Sequence, residues 1–112
     1  MMEAFNLNQQ YMNYTENYRG IKIDVQTHNV DISDTVQQEI RAAIDKLSRF
    51  TTNINAADFY FKVEGSNNAA LSTVSIRLGI PGPDVFADDN GDNWISLIKS
   101  VTDKLIRQLE KK

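Results

Sequence analysis

The chain predicts an α+β domain of order β-α-β-β-β-α, a four-stranded sheet with two helices packed on one face. Two observations predict it. Three stretches alternate apolar with polar residues, the period of a half-buried strand, with a fourth short apolar run after them, and two repeat apolar residues at spacings of three and four, the period of an amphipathic helix. Strands with one apolar face need a cover, and two amphipathic helices supply it. The other sheet face is then open to water, with Lys22, Tyr60, Lys62 and Arg77 among its residents. The length of 112 residues, 41% of them hydrophobic, suits one domain with a modest core.

The first strand opens at Ile21, where Ile21, Ile23 and Val25 alternate with Lys22, Asp24 and Gln26. Thr27 to Val30 reads as a connection. Ser33 or Asp34 then caps a helix, because a side-chain oxygen there accepts backbone N–H groups that lack a helical partner. Val36, Ile40, Ala43, Ile44, Leu47 and Phe50 form its apolar stripe, so the helix is expected to run to about Phe50. Arg41, Asp45 and Arg49, spaced by four on the far side, are placed to pair.

Phe59, Phe61 and Val63 mark the second strand, Gly65-Ser66-Asn67-Asn68 a hairpin turn, and Val74, Ile76, Leu78 and Ile80 the third strand. Pro81-Gly82-Pro83 stops it. Val85-Phe86-Ala87 reads as a short fourth strand, and Asp88 to Asp92 as a polar loop. The last helix carries Trp94, Leu97, Ile98, Val101, Leu105 and Leu109 on one face; Ile95 and Ile106 lie off that stripe, as extra buried surface or a partner contact. Residues 19–112 form a single domain. Residues 1–18, rich in Asn, Gln and Tyr, read as a disordered tail; the rival is a segment docked through Tyr11, Tyr14 and Tyr18.

Several chemistries are excluded. With no Cys there is no disulfide, thiolate metal site or cysteine nucleophile, and one His cannot build a histidine metal site or relay. That residue, His28, follows a strand and reads as a turn residue. An EF-hand register with Gly91 at position six puts Phe86 first and Leu97 twelfth, and both fail as ligands. The glycines do not have phosphate-loop spacing. No metal, cofactor or catalytic role is therefore assigned. No apolar stretch approaches the ~20 residues of a membrane span, and no signal peptide opens the chain.

Charge is the remaining signal. The formal net charge is -3, which argues against unspecific phosphate binding. Its distribution matters more. From Asp92 onward, Lys99, Lys104, Arg107, Lys111 and Lys112 outnumber Asp92, Asp103 and Glu110, whereas Ile80 to Gly91 holds Asp84, Asp88 and Asp89 and no base. Lys104, Arg107 and Lys111 make a stripe along the last helix.

The order Ile21-Lys22-Ile23, Asn29-Val30-Asp31-Ile32-Ser33, Asp45-Lys46-Leu47, Phe59 with Phe61, Ile80-Pro81-Gly82 and Val85-Phe86-Ala87 resembles the ribosome hibernation promoting factor family, also described as ribosome-associated inhibitor or sigma-54 modulation proteins. The most specific piece is Asp103-Lys104-Leu105-Ile106-Arg107-Gln108-Leu109-Glu110-Lys111, similar to the family's closing motif. The likeness covers Ile21 to Lys112 and is to a short member, without the C-terminal dimerisation domain. It implies a fold like a double-stranded-RNA-binding domain. It implies a cytoplasmic translation inhibitor that binds the small ribosomal subunit in the messenger and transfer RNA channel and promotes hibernation of idle ribosomes under stress or in stationary phase. Carried over by position, Lys104, Arg107, Lys111 and Lys46 face ribosomal RNA; Arg41, Arg49, Lys99 and Lys112 join them from the polar helix faces. No membrane or DNA partner is implied. Four or five engaged phosphates would lower affinity roughly 10²–10³-fold between 50 and 200 mM salt. The alternatives are a protein-interaction module of the same fold that has lost RNA binding, motivated by Asp88, Asp89, Ile95 and Ile106, and a small enzyme whose site forms only on folding.

Overall fold

An edge strand precedes the first one expected. The computed structural model describes residues 13–65 and 71–111. Along the chain come β1 (Asn13–Tyr18), β2 (Ile21–His28), α1 (Asp34–Leu47), β3 (Ala56–Glu64), β4 (Leu71–Gly79), β5 (Val85–Gly91) and α2 (Trp94–Glu110). The five strands lie in the order β1-β2-β3-β4-β5. β2 and β3 are parallel, linked through α1, and the other neighbours are antiparallel. This β-β-α-β-β-β-α mixed sheet corrects the expected four-stranded β-α-β-β-β-α arrangement.

The physical reason lies in β1. Tyr14, Glu16 and Tyr18 pair with Val25, Ile23 and Ile21 and so share their parity, toward the helices. Tyr14 and Tyr18 pack against the core. Arg19 and Gly20 join β1 to β2 with φ of 56° and 80°, the paired positive values of a type I′ hairpin turn. Asn13–Tyr18 therefore belongs to the sheet, and Tyr14 and Tyr18 dock as the rival reading of this segment proposed. Tyr11 and the rest of residues 1–12 lie outside the described residues, as do Ser66 to Asn68 of the expected hairpin turn and Lys112.

The core is the side of the sheet facing both helices. Ile23, Val25, Ala57, Phe59, Phe61, Val74, Ile76 and Leu78 are buried against Ile40, Ile44 and Leu47 of α1 and Ile98, Val101 and Leu105 of α2. Phe61 meets Trp94 edge to face, with ring centroids 5.4 Å apart. Val36 N–H donates to Ser33 Oγ at 3.2 Å and Ser96 N–H to Asn93 Oδ1 at 2.9 Å, so a polar side chain caps each helix. Several boundaries move. β2 runs through Thr27 and His28, expected in the connection, which pair with Phe61 and Lys62, and β4 stops at Gly79, one residue before Ile80. α1 ends at Leu47, and Phe50, expected on the buried stripe, is 44% exposed. The expected polar loop after Ala87 is instead the second half of β5, which pairs with β4 as far as Gly91 opposite Ser72.

Candidate nucleic-acid interface

Helical periodicity turns Lys104, Arg107 and Lys111 away from the core, toward the side where α2 runs beside β5. They line an open groove of about 420 Å³ with Phe86, Ala87, Asp88 and Gln108. Gln108 Nε2 donates to the Phe86 carbonyl at 2.7 Å and ties the helix to the strand.

The acids of β5 are part of this site. Asp89 pairs with Val74, so its side chain points to the helices. There Ser100 Oγ donates to Asp89 Oδ2 at 2.6 Å, and Asn90 N–H donates to Asp89 Oδ1 at 2.9 Å. Lys104 Nζ donates to the Asp88 carbonyl at 2.9 Å and lies 3.7 Å from Asp89 Oδ2. The Ser100 hydroxyl first, then the Asn90 N–H, with Lys104 adding to both, holds the Asp89 carboxyl below the usual carboxylate range. Asp88, one residue earlier, has the opposite parity and faces outward.

A second cluster lies between the helices. Lys46, Arg49 and Lys99 share a groove of about 300 Å³ with Glu39, Ala42, Ala43, Thr102 and Asp103. Lys46 Nζ bonds Asp103 Oδ1 at 3.1 Å, and Lys99 Nζ bonds Glu39 Oε2 at 3.0 Å, so both ion pairs cross from one helix to the other.

Arg41 stands apart from these cations. It faces β1, where its Nε meets Glu16 Oε2 at 2.8 Å. Hydrogen bonding to Glu16 raises its already high pKa. The expected Arg41–Asp45–Arg49 pairing does not form: Asp45 accepts from Tyr18 Oη at 3.1 Å and meets Arg19 Nε at 3.2 Å. Of the eight expected cations, the fold thus gathers three in the α2–β5 groove and three between the helices, and places Arg41 elsewhere. Sequence reasoning missed the partners Asp89, Asp103, Glu39 and Glu16, because ion pairs between elements leave no spacing signal.

The open sheet face carries the expected Lys22, Tyr60, Lys62 and Arg77. Tyr60 and Phe86 are exposed beside a cavity of about 400 Å³ that also reaches Asp24, Asp58 and Arg77. Ile106 is buried and Ile95 half-buried against the core, so both widen the packed face of α2. Among the described residues no His, Asp and Glu grouping could hold a metal ion, and no helix is long and apolar enough to cross a membrane.

Residues 23–112 match the family described as Sigma 54 modulation protein / S30EA ribosomal protein. A ribosome hibernation promoting factor of Klebsiella oxytoca is 29% identical over 91 residues, covering 81% of this chain and 92% of the relative. Among solved structures, the Protein Y N-terminal domain of Thermus thermophilus superposes with a TM-score of 0.66 at 18% identity, covering 86% of this chain and 98% of that one. A ribosomal subunit interface protein from Coxiella burnetii gives 0.62 at 22% identity, covering 81% and 93%. At these identities the two structures speak for the fold alone.

Proposed function

The chain belongs to the Sigma 54 modulation protein / S30EA ribosomal protein family, and from that premise we propose that it is a ribosome-associated translation inhibitor that promotes hibernation of idle ribosomes under stress. It binds the small subunit through ribosomal RNA, in the channel used by messenger and transfer RNA, and acts in the cytoplasm. The mechanism is occupation of the channel, held by phosphate contacts, and no bond is made or broken. The observation that carries this reading is the outward stripe of α2: Arg107 and Lys111 flank an open groove and make no ion pair among the described residues. Arg107 can grip a phosphate through two hydrogen bonds, while Lys111 supplies a point charge. Recognition of structured RNA through its backbone and shape suits such a set. Of the residues that motivated a protein-interaction module, the two apolar ones, Ile95 and Ile106, are packed into the domain and offer a partner little.

Sedimentation through a sucrose gradient with vacant ribosomes tests the proposal. At low salt the chain is expected to travel with the small subunit, and the doubly substituted Arg107→Glu, Lys111→Glu chain to remain at the top. A wild-type chain that stays at the top would sink the proposal.

A further inference from the structure

The cations of the proposed surface fall into two classes. Lys104 is held by Asp89 and the Asp88 carbonyl, Lys46 by Asp103 and Lys99 by Glu39. Arg49, Arg107 and Lys111 make no ion pair among the described residues. We infer that Asp89 and Asp103 are counter-charges that set the affinity for RNA, by occupying Lys104 and Lys46 so that phosphates engage Arg49, Arg107 and Lys111 instead. The inference deepens the RNA-binding reading and rests on it.

Two features separate this role from a purely structural one. Asp103 is 56% exposed at its side chain, and Lys46 is its one ion-pair partner among the described residues, so its charge does little for packing. Asp89 does brace α2 through Ser100. Yet Lys104 approaches it although Lys104 is 41% exposed and could extend into water. A phosphate arriving at either lysine meets an ammonium that already has an anionic neighbour, and it must also approach that carboxylate. Each acid therefore subtracts a contact and adds a repulsion.

The salt dependence follows. With three cations engaged, affinity should fall about 40-fold between 50 and 200 mM salt; with Lys46 and Lys104 also freed, about 500-fold. The wild-type figure is below the 10²–10³-fold expected when four or five phosphates are counted from sequence.

The test measures binding of the full chain to vacant small subunits and to an unrelated RNA duplex of about 16 base pairs, across that salt range. Asp103→Asn and Asp89→Asn are each expected to tighten binding roughly 3–10-fold at 50 mM salt and to steepen the log–log salt slope by about one. Asparagine at position 89 keeps an acceptor for Ser100, and Asp103→Asn provides an arm free of that brace. Lys104→Ala should weaken the wild type less than about twofold, yet abolish the gain of Asp89→Asn. Unchanged affinity and slope in both Asp→Asn chains would overturn the inference. So would a Lys104→Ala loss equal in both backgrounds. Arg107→Glu separates the two failures. If it weakens binding while the Asp→Asn chains do not differ from wild type, only the counter-charge role is lost; if it too has no effect, the RNA-binding reading falls with it.

Discussion

Tyr14 and Asp89 show how single groups report on the edges of this sheet. The Tyr14 hydroxyl is buried and has no hydrogen-bond partner among the described residues. Burial first, and the nearby Glu16 carboxylate second, raise its pKa above 10.0, with Arg41 opposing. The folded state thus holds this proton more tightly than the unfolded chain, and stability falls as pH rises above the unfolded value. Tyr14→Phe keeps the ring and removes the unpaired hydroxyl, so it should stabilise the domain by up to about 1 kcal/mol in urea unfolding and flatten the alkaline limb. Asp89 works in the opposite sense. Its pKa is lowered in the folded state by Ser100 and Asn90. Its contribution is present above the unfolded value of 3.8 and is lost as pH falls through the lower folded one. Urea midpoints taken at about pH 6 and about pH 3 should differ less for Asp89→Asn than for wild type.

At the scale of elements, β1 is held more by its ladder and two tyrosines than by charge. Glu16–Arg41 is a partly exposed pair worth about 0–1 kcal/mol, whereas burying a large apolar side chain contributes about 1.5–3 kcal/mol. Its hairpin is the sensitive point. Gly20 has φ +80° and open space around a would-be Cβ, so Gly20→Ala meets backbone strain without a clash. It should cost about 1 kcal/mol in thermal or urea unfolding. The same strand shows where legibility ended. The helices and β2 to β4 were readable because Ile, Leu, Val and Phe recur at 3.6- or 2-residue periods. β1 has the right alternation, but its inward residues are Tyr14, Glu16 and Tyr18, which register as polar until Arg41 and Asp45 are known to lie opposite. β5 was cut short for a related reason. Asp89 stands at an inward position, and only Ser100 and Lys104, more than ten residues away, make a charge acceptable there. The cationic stripe of α2 was readable from spacing alone, whereas its neutralisation depends on which acids the tertiary fold brings across.

At the scale of the whole molecule, the formal net charge of -3 says little about where charge sits among the described residues. On the open face, cross-strand rows place Asp24, Asp58 and Arg77 with Phe86, and Gln26, Tyr60 and Ser75 with Asp88. Asp24, Asp58, Glu64 and Asp88 there outnumber Lys22, Lys62 and Arg77, so no basic field builds up. The helix side holds Lys46, Arg49, Lys99, Lys104, Arg107 and Lys111, three of them paired with Asp103, Glu39 and Asp89, at the far side of a sheet and its core. At physiological ionic strength the screening length is about 8 Å, so cations on one face contribute little to phosphates on the other. Net charge therefore misjudges this chain, and position decides. Arg77→Glu and Arg107→Glu make the same change in net charge on opposite faces. If phosphates are met by the helices, Arg77→Glu should leave affinity for vacant small subunits within about twofold, while Arg107→Glu should lower it at least about tenfold at 50 mM salt. Equal losses would mean that binding follows total charge or uses the sheet face, and the helix-side assignment would have to be abandoned.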